Sequence, residues 1–341
     1  MLSAPPLARH RREFDQYLRS LLSAQDPALL YRMARYHLGW EDAEGRPDDA
    51  GGKALRPALC LLACEAVGGD WRQALPAAAG VELVHNFSLI HDDIQDRDRE
   101  RHHRPTVWSV WGEAQAINAG DALLALARLS VLKLADAGSA PETVVEAVRV
   151  LDERTLEMVE GQTLDIGFEE TLEVDVPACI KMIEKKSGAL FDCALHLGAL
   201  VAGADAALVE QLGGIGRALG AAFQIRDDML GVWGDESKTG KPLGADIRRR
   251  KKSLPVVYAL SEAQGGTGDE LRVIYSKPAL SDGDVTRVLR CLDEARARDY
   301  CTRLGAERKE AALAELSRLD LRPGPANELR EAAEFLLERD F

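Results

Sequence analysis

Apolar residues recur every three to four positions along most of the chain. This spacing puts them on one face of an α-helix, and the alternation typical of half-buried β-strands is nearly absent. Clusters of Gly and Pro separate the periodic segments, as at Gly68-Gly69 and Pro323-Gly324-Pro325. The pattern therefore predicts an all-α protein. The predicted helices cover residues 7–38, 54–68, 75–97, 115–136, 141–168, 176–203, 206–235, 250–263 and, with breaks, 284–339.

We expect these helices to form one domain over residues 1–341, because no internal repeat or low-complexity linker divides the chain. The most apolar helices would lie at the centre, with amphipathic helices around them. Hydrophobic residues make up 46% of the chain, charged residues 29% and aromatic residues only 5%. This composition is ordinary for a globular protein and favours helices over sheets.

The formal net charge of −13 argues against nucleic acid as a partner. The six cysteines are dispersed and form no CxxC pair, so we interpret them as buried thiols in a reducing compartment. No apolar signal segment and no run long enough to span a membrane is present, and a cytoplasmic location is expected.

The segment Gly80–Asp96 ends in an acidic cluster, Asp92-Asp93-Ile94-Gln95-Asp96. At about 100° per residue, His85, Ser88, Asp92 and Asp96 fall on one stripe of an otherwise apolar helix. Carboxylates one turn apart repel each other, and a hard divalent cation such as Mg²⁺ relieves that repulsion. The alternative is a solvated, acidic helix end.

A second acidic stripe lies between Phe223 and Asp235. Gln224, Asp227, Asp228 and Gly231 follow the spacing i, i+3, i+4, i+7, and Asp235 would extend the stripe by another turn. Two apolar helices with paired carboxylates predict a facing pair across a cavity. Such a cavity would hold several divalent ions bridged by a substrate diphosphate.

Small clusters of cations accompany both acidic stripes, and each of these side chains taken alone would be read as a solvated surface charge. Lys and Arg are suitable donors to a diphosphate. The candidate cations are Lys53, Arg56, Arg101, Lys186, Lys241 and Lys251.

Together these motifs resemble the trans-isoprenyl diphosphate synthases, or polyprenyl synthetases, over about residues 50–260. The resemblance rests on several separated motifs in the family's order. The matching segments are Gly52 to Pro57 (isopentenyl diphosphate motif), Asp92 to Asp96 (first aspartate-rich motif), Lys186-Ser187, Phe223 to Asp228 (second aspartate-rich motif), Gly240-Lys241, Gly244 to Asp246 and Lys251.

The resemblance implies an isoprenoid synthase-type helical bundle with a central apolar cavity, acting as a homodimer. It implies about three Mg²⁺ ions, with Mn²⁺ able to substitute, on Asp92, Asp96, Asp227 and Asp228, with Asp93 beside them. It further implies that Lys53, Arg56, His85 and His102 hold isopentenyl diphosphate. The allylic diphosphate would be held by Arg101, Lys186, Lys241 and Lys251, and Ser187 and Gln224 would face the reacting carbons.

The implied reaction needs no strong side-chain nucleophile. Metal ions and cations draw charge onto the leaving diphosphate, and the isopentenyl double bond attacks the resulting allylic cation in a cavity that excludes water. Phe87 and Ser88, five and four residues before the first Asp, resemble the tunnel floor of short-chain enzymes. They imply geranylgeranyl diphosphate as the product, with farnesyl diphosphate as the near alternative.

Two positions depart from the family pattern. His102 stands where an Arg is common, and Gly231 stands where a third Asp is usual, although Asp235 would be able to replace it.

Two other functions share part of the pattern. A class I terpene cyclase has the same first motif, but it needs no isopentenyl site. A non-catalytic partner subunit would be expected to lose an aspartate motif.

Gly214 to Gly220 is similar to a dinucleotide loop, but it lacks a preceding strand and the required spacing.

Overall fold

In the computed structural model, residues 5–22, 28–48, 50–235, 242–262 and 266–337 are described. Almost all regular structure in these ranges is helical, which confirms the predicted all-α class. The helices are α1 (Pro5–Ala8), α2 (Arg11–Leu21), α3 (Leu29–His37), α4 (Leu55–Val67), α5 (Leu75–Gln95), α6 (Val107–Trp111), α7 (Glu113–Leu132), α8 (Pro141–Glu169), α9 (Val176–Ile183), α10 (Ala189–Val201), α11 (Ala206–Trp233), α12 (Ala245–Arg248), α13 (Leu254–Glu262), α14 (Gly266–Tyr275), α15 (Asp282–Glu294), α16 (Ala297–Leu316) and α17 (Pro323–Leu337).

Shorter elements complete this order. A 3₁₀-helix covers Trp71–Ala74, and a π-helix, Glu184–Gly188, joins α9 to α10. Strands β1 (Glu100–Arg101) and β2 (Arg104–Pro105) form an antiparallel hairpin.

The prediction of one helix over 7–38 was wrong, because residues 9–10 form a turn between α1 and α2. The periodic pattern also missed α6, α12, α14 and the hairpin. These elements are short or carry Gly at their start, so they contain too few turns for a helical period to stand out.

The residue contacts divide the chain into two compact units. The first unit comprises residues 1–155, 193–213 and 319–332. Within it α5 packs most extensively against α7, because glycines allow a close approach. A Cβ at Gly80 would lie 2.6 Å from Val131 Cγ2, and a Cβ at Gly120 would lie 2.4 Å from His91 Nε2. Most residues of α5 are consequently buried up to its acidic end.

The second unit comprises residues 156–192, 214–318 and 333–341. Its apolar core lies between α9, α11, α13 and the helices that follow. Gly161 of α8 lies directly against the π-helix, since a Cβ there would be 2.3 Å from the backbone nitrogen of Lys186. The single domain over residues 1–341 stays a prediction.

All six cysteines are buried and none forms a disulfide, as expected from their spacing. Among the described residues, no helix combines the length and the apolar composition needed to cross a membrane.

Candidate active site

The acidic end of α5 carries three aspartates in different environments. Asp92 is partly exposed and Asp96, at the C-cap, is exposed, so both present carboxylate oxygens at the surface. Asp93 is only 2% exposed. Its Oδ1 accepts a hydrogen bond from Arg101 Nε at 2.9 Å, and Arg101 Nη2 forms an ion pair with the same oxygen at 2.8 Å. Burial raises the pKa of Asp93, while Arg101 opposes that shift.

Arg101 reaches Asp93 because the chain turns back sharply after α5. The hairpin pairs Arg101 with Arg104, and the two residues between them, His102 and His103, have φ values of 51° and 60°. Two successive positive φ values are typical of a type I′ turn, whose twist matches that of a hairpin. His102 is exposed at this turn.

Five basic side chains lie within electrostatic reach of one another beside α5, and we call them the basic cluster: His37, Arg56, His85, Arg101 and His102. Burial lowers the pKa of His85 well below its usual range, and the charges of Arg56, Arg101, His37 and His102 add to that effect. The pKa of His37 falls to about 3 for the same reasons, burial first and Arg101 next. Both imidazoles are therefore neutral near pH 7. The Arg56 and Arg101 guanidiniums beside these neutral imidazoles provide charged donors for an anion.

The basic cluster brings together four of the cationic residues predicted for isopentenyl diphosphate and the allylic diphosphate. His37 was missed, because a single His at the end of α3 carries no sequence signal. Lys53 is exposed just before α4, where Ala54 has a φ of 47° as the N-cap.

In the second unit, the polar side chains of the second motif form one connected network. Ser187 Oγ donates to Gln224 Oε1 at 2.5 Å, and Gln224 Nε2 donates to Asp228 Oδ1 at 3.0 Å. The backbone N–H of Leu254, the first residue of α13, donates to Asp228 Oδ2 at 3.0 Å. Asp228 is 2% exposed. The amide oxygen of Gln224 accepts from Ser187 and the amide nitrogen donates to Asp228, so the orientation of the Gln224 amide is fixed.

Two lysines border this network. Lys251 Nζ lies 3.6 Å from Asp228 Oδ1 and 3.9 Å from Asp246 Oδ2. Burial alone would lower the pKa of Lys251, but the surrounding aspartates raise it well above its usual range. Lys186 Nζ donates to Asp165 Oδ2 from within the π-helix. Both ammonium groups are held in fixed positions by carboxylates.

Gly231 lies against Asp246, which the sequence analysis did not single out as a site residue. A Cβ at Gly231 would be 2.2 Å from Asp246 Oδ2, so this carboxylate fills the space beside the position where the family usually has a third Asp. Asp227 is exposed on the same helix, and Asp235 is exposed after its end. The signal that would have found Asp246 is its place two residues after Gly244, which has a φ of 69° and opens α12.

Phe87 is 7% exposed and packs edge-on against His91, with ring centroids 4.9 Å apart. His91 in turn lies against Gly120 of α7. The hydroxyl of Ser88 donates to the carbonyl of His85 within α5, 2.8 Å away.

Some predictions are left open. Lys241 lies outside the described residues. Asp92 and Asp96 belong to one unit and Asp227 and Asp228 to the other, so the facing of the two stripes stays a prediction. Among the described residues, no three His, Cys, Asp or Glu side chains lie close enough to hold a metal ion by themselves.

Comparison with known proteins gives consistent matches. The sequence model of polyprenyl synthetases matches residues 48–292. A (2E,6E)-farnesyl diphosphate synthase from Mycobacterium bovis is 39% identical over 328 residues, which are 94% of this chain and 89% of that protein. A geranylgeranyl diphosphate synthase from Mycobacterium tuberculosis is 44% identical over 301 residues, 87% of this chain and 84% of the relative. A solved polyprenyl synthetase from Streptomyces coelicolor has a TM-score of 0.89 and 38% identity, and the match covers 97% of this chain and 98% of that one.

Proposed function

Because the chain belongs to the polyprenyl synthetase family, we propose that it condenses isopentenyl diphosphate with an allylic diphosphate and releases diphosphate. Prenyl transfer is the activity named for relatives that cover most of the chain. The observation that carries the proposal is that each compact unit combines exposed aspartates with a cluster of fixed cations. This pairing suits a metal-bound diphosphate better than either free phosphate or a bare metal ion.

The donors suit Mg²⁺, the metal typical of the family, because they are carboxylate oxygens, which this ion prefers. Asp92 and Asp96 would supply one set of oxygens, and Asp227 with Asp246 the other. Substrate oxygens would complete the coordination. When bound, the metal ions stabilise the charge that develops on the leaving diphosphate.

Different side chains of the protein would bind each of the two substrates. Within the basic cluster, Arg56 and His102 would bind the diphosphate of isopentenyl diphosphate, and His85, kept neutral by burial, would donate one hydrogen bond to it. Arg101 would bind the allylic diphosphate. Lys186 and Lys251, both held by carboxylates, would bind the allylic diphosphate, with Lys241 as a further candidate. Lys53 would add a flexible contact at the start of α4.

Ser187 and Gln224 would stabilise the allylic cation. Their oxygens are oriented by the network before substrate binds, so no reorganisation is needed as charge develops. A carbon–carbon bond then forms from the isopentenyl double bond while the carbon–oxygen bond to diphosphate breaks. The proton lost from the isopentenyl unit would go to the departing diphosphate.

For Asp228 we propose a supporting part instead of the metal ligation that the resemblance implies. Since both of its oxygens accept hydrogen bonds from the protein and it is buried, we assign it to holding Gln224 and Lys251 in place. Asp93 has the corresponding part in the first unit, where it orients Arg101.

We propose geranylgeranyl diphosphate as the main product, with farnesyl diphosphate as the alternative. A buried Phe87 supports a closed tunnel floor, which favours a short chain. The two relatives described above divide between these products, so they do not separate the alternatives.

We also propose that the chain acts as a homodimer in the cytoplasm. Leu156, Val159 and Ile166 of α8 are 61%, 42% and 40% exposed. They lie within about 80° on one helix face, which is the kind of apolar stripe that protein partners cover. Six unpaired thiols support a reducing compartment.

The test is incubation of the purified chain with isopentenyl diphosphate, Mg²⁺ and dimethylallyl, geranyl or farnesyl diphosphate in turn, followed by product sizing. We expect elongation that stops at the geranylgeranyl length. Consumption of an allylic diphosphate without isopentenyl diphosphate would indicate a terpene cyclase. Activity only after a second protein is added would indicate a partner subunit, and no elongation with any primer would reject the proposal.

A further inference from the structure

Residues 50–54 lead into α4, and we call them the Lys53 segment. They carry Lys53 and continue to Arg56, two of the side chains assigned above to isopentenyl diphosphate. Lys53 is exposed and its side chain is long, so the course of the backbone decides where its ammonium group can reach. The contacts that fix this segment therefore bear on substrate binding.

The Lys53 segment contains a strained position. Ala54 has a φ of 47°, in the left-handed region that residues with a Cβ rarely adopt. Such conformations are costly, persist only where the surrounding structure imposes them and cluster beside functional sites. The segment therefore needs restraints from outside α4.

Contacts from two other parts of the first unit supply such restraints. The backbone N–H of Ala50 donates to the carbonyl of Gly39, just after α3, at 3.0 Å. Arg11 Nη1, at the start of α2, donates to the carbonyl of Gly52 at 2.7 Å. The second contact lies immediately before Lys53, so Arg11 sets the direction in which the backbone enters that residue.

Arg11 is itself held in place. Its Nε donates to Asp15 Oδ2, one turn further along α2, at 2.6 Å. Phe14 and Leu18, which are 2% and 3% exposed, anchor the same helix in the core. Because Nε and Nη1 both have partners, the guanidinium is oriented before any substrate binds.

Arg11 also lies near Arg56. Burial raises the pKa of the Glu82 carboxyl on α5, and the charges of Arg56 and Arg11 oppose that shift. Both guanidiniums are therefore within electrostatic reach of one buried carboxylate, and Arg11 belongs to the surroundings of the isopentenyl diphosphate residues.

We propose that Arg11 is a positioning residue for isopentenyl diphosphate. It holds the Gly52 carbonyl, so that Lys53 and the start of α4 present their cations to one diphosphate, and it acts through the backbone and not by contact with the substrate. The family model matches residues 48–292 and does not include Arg11. The inference rests on the proposed condensation and deepens it.

The test compares Arg11→Gln with Asp15→Asn in the full-length protein. If charge alone mattered, loss of a cation would weaken the binding of a diphosphate and loss of an anion would strengthen it. Positioning predicts that both changes weaken it, because either change loosens the hold on the Gly52 carbonyl. We expect the KM for isopentenyl diphosphate to rise about tenfold in Arg11→Gln and by less in Asp15→Asn, while the KM for geranyl diphosphate stays near its native value.

Arg12→Gln is the matched control, since Arg12 is the exposed neighbour of Arg11 and carries the same charge. It should keep the native KM for both substrates. Hydrogen exchange of peptides that span residues 50–56, measured by mass spectrometry, should be faster in Arg11→Gln than in the native chain and unchanged in Arg12→Gln.

Four results would each overturn the proposal: a native KM for isopentenyl diphosphate in Arg11→Gln, an equal rise for both substrates, a lowered KM for isopentenyl diphosphate in Asp15→Asn, or native exchange over residues 50–56 in Arg11→Gln. All of them leave the condensation itself standing. A native chain that elongates no primer would instead reject the condensation and this inference with it.

Discussion

Phe87 is held in place by a histidine one turn further along its own helix. His91 meets the Phe87 ring edge-on and is itself pressed against the bare backbone of Gly120. The hydroxyl of the neighbouring Ser88 donates a hydrogen bond to the backbone carbonyl of His85. At the scale of single residues, the ring and not the hydroxyl is therefore the group that can limit a growing prenyl chain.

Replacing Phe87 by Ala should lengthen the product by at least one isoprenyl unit, because the ring no longer blocks the space beside α5. The loss of a buried Phe also costs about 3–5 kcal/mol of stability, so the assay needs a low temperature. Ser88→Ala is the control, and its product should match that of the native chain. An unchanged product length for Phe87→Ala would show that another group ends the tunnel.

The carboxylate missing at Gly231 gives a second prediction. Asp246→Asn should lower turnover by about 10–100-fold and weaken Mg²⁺ dependence, because it removes the charge that lies beside Gly231. Asp235→Asn, at an exposed position after α11, should have a much smaller effect. Activity is measured for both variants as a function of Mg²⁺ concentration. A larger loss of activity in Asp235→Asn than in Asp246→Asn would show that Asp235 replaces the carboxylate missing at Gly231.

His37 gives a pH-dependent prediction. Its pKa is about 3 in the folded chain and about 6.5 when unfolded. Below pH 6.5 the unfolded state therefore takes up a proton that the folded state does not, and stability falls as the pH falls. Between pH 7 and 5 this residue should account for a loss of about 2 kcal/mol.

Urea unfolding of the native chain and of His37→Gln at pH 7 and pH 5 measures the contribution of His37 to this loss of stability. The variant should lose about 2 kcal/mol less than the native chain over the same interval. Equal losses would mean that His37 is protonated in the folded state.

At the scale of elements, the π-helix Glu184–Gly188 decides where two site residues lie. It shifts the register between α9 and α10 and carries both Lys186 and Ser187. Such bulges occur frequently at functional sites. The backbone of α8 can approach this bulge only because residue 161 has no side chain.

Gly161→Ala should therefore displace the π-helix and reduce turnover at least tenfold, with a smaller effect on overall stability. Gly167→Ala on the same helix is the control, since a Cβ there meets nothing within 4 Å. Steady-state kinetics and thermal unfolding of both variants separate the two effects. If Gly161→Ala turns over as fast as the native chain, displacement of the π-helix does not impair the site and the prediction is wrong.

The limits of sequence reasoning also appear at this scale. Long periodic helices such as α5 and α11 were predicted with their acidic stripes, because apolar spacing fixes which side chains share a face. The π-helix was not predicted, because α10 is buried on almost every side and so has no single apolar face whose rotation would reveal the inserted residue. His37 was missed because it reaches the site through tertiary packing, which no local spacing records. Asp246 lies in a motif that the sequence analysis quoted, Gly244 to Asp246, but its position beside Gly231 comes from tertiary packing.

At the scale of the whole molecule, the exposed stripe of α8 predicts self-association. The double variant Leu156→Glu, Val159→Glu should convert a dimer into a monomer, because it introduces charge into an interface that must be desolvated. Val273→Glu is the control, as Val273 is an isolated apolar side chain that is 59% exposed. Light scattering after size exclusion gives the mass of each variant. A monomeric native chain, or a dimeric double variant, would remove this stripe as the interface.

The basic cluster has a consequence for how this protein should be handled. Burying the Arg56 and Arg101 guanidiniums and keeping His37 and His85 neutral cost the substrate-free protein folding free energy, so that the site is ready for an anion. Any anion that binds the basic cluster in the folded state stabilises that state through mass action. Shelf life, melting temperature and crystal quality should therefore depend on buffer choice, and phosphate or diphosphate should preserve the protein better than an uncharged buffer of equal pH.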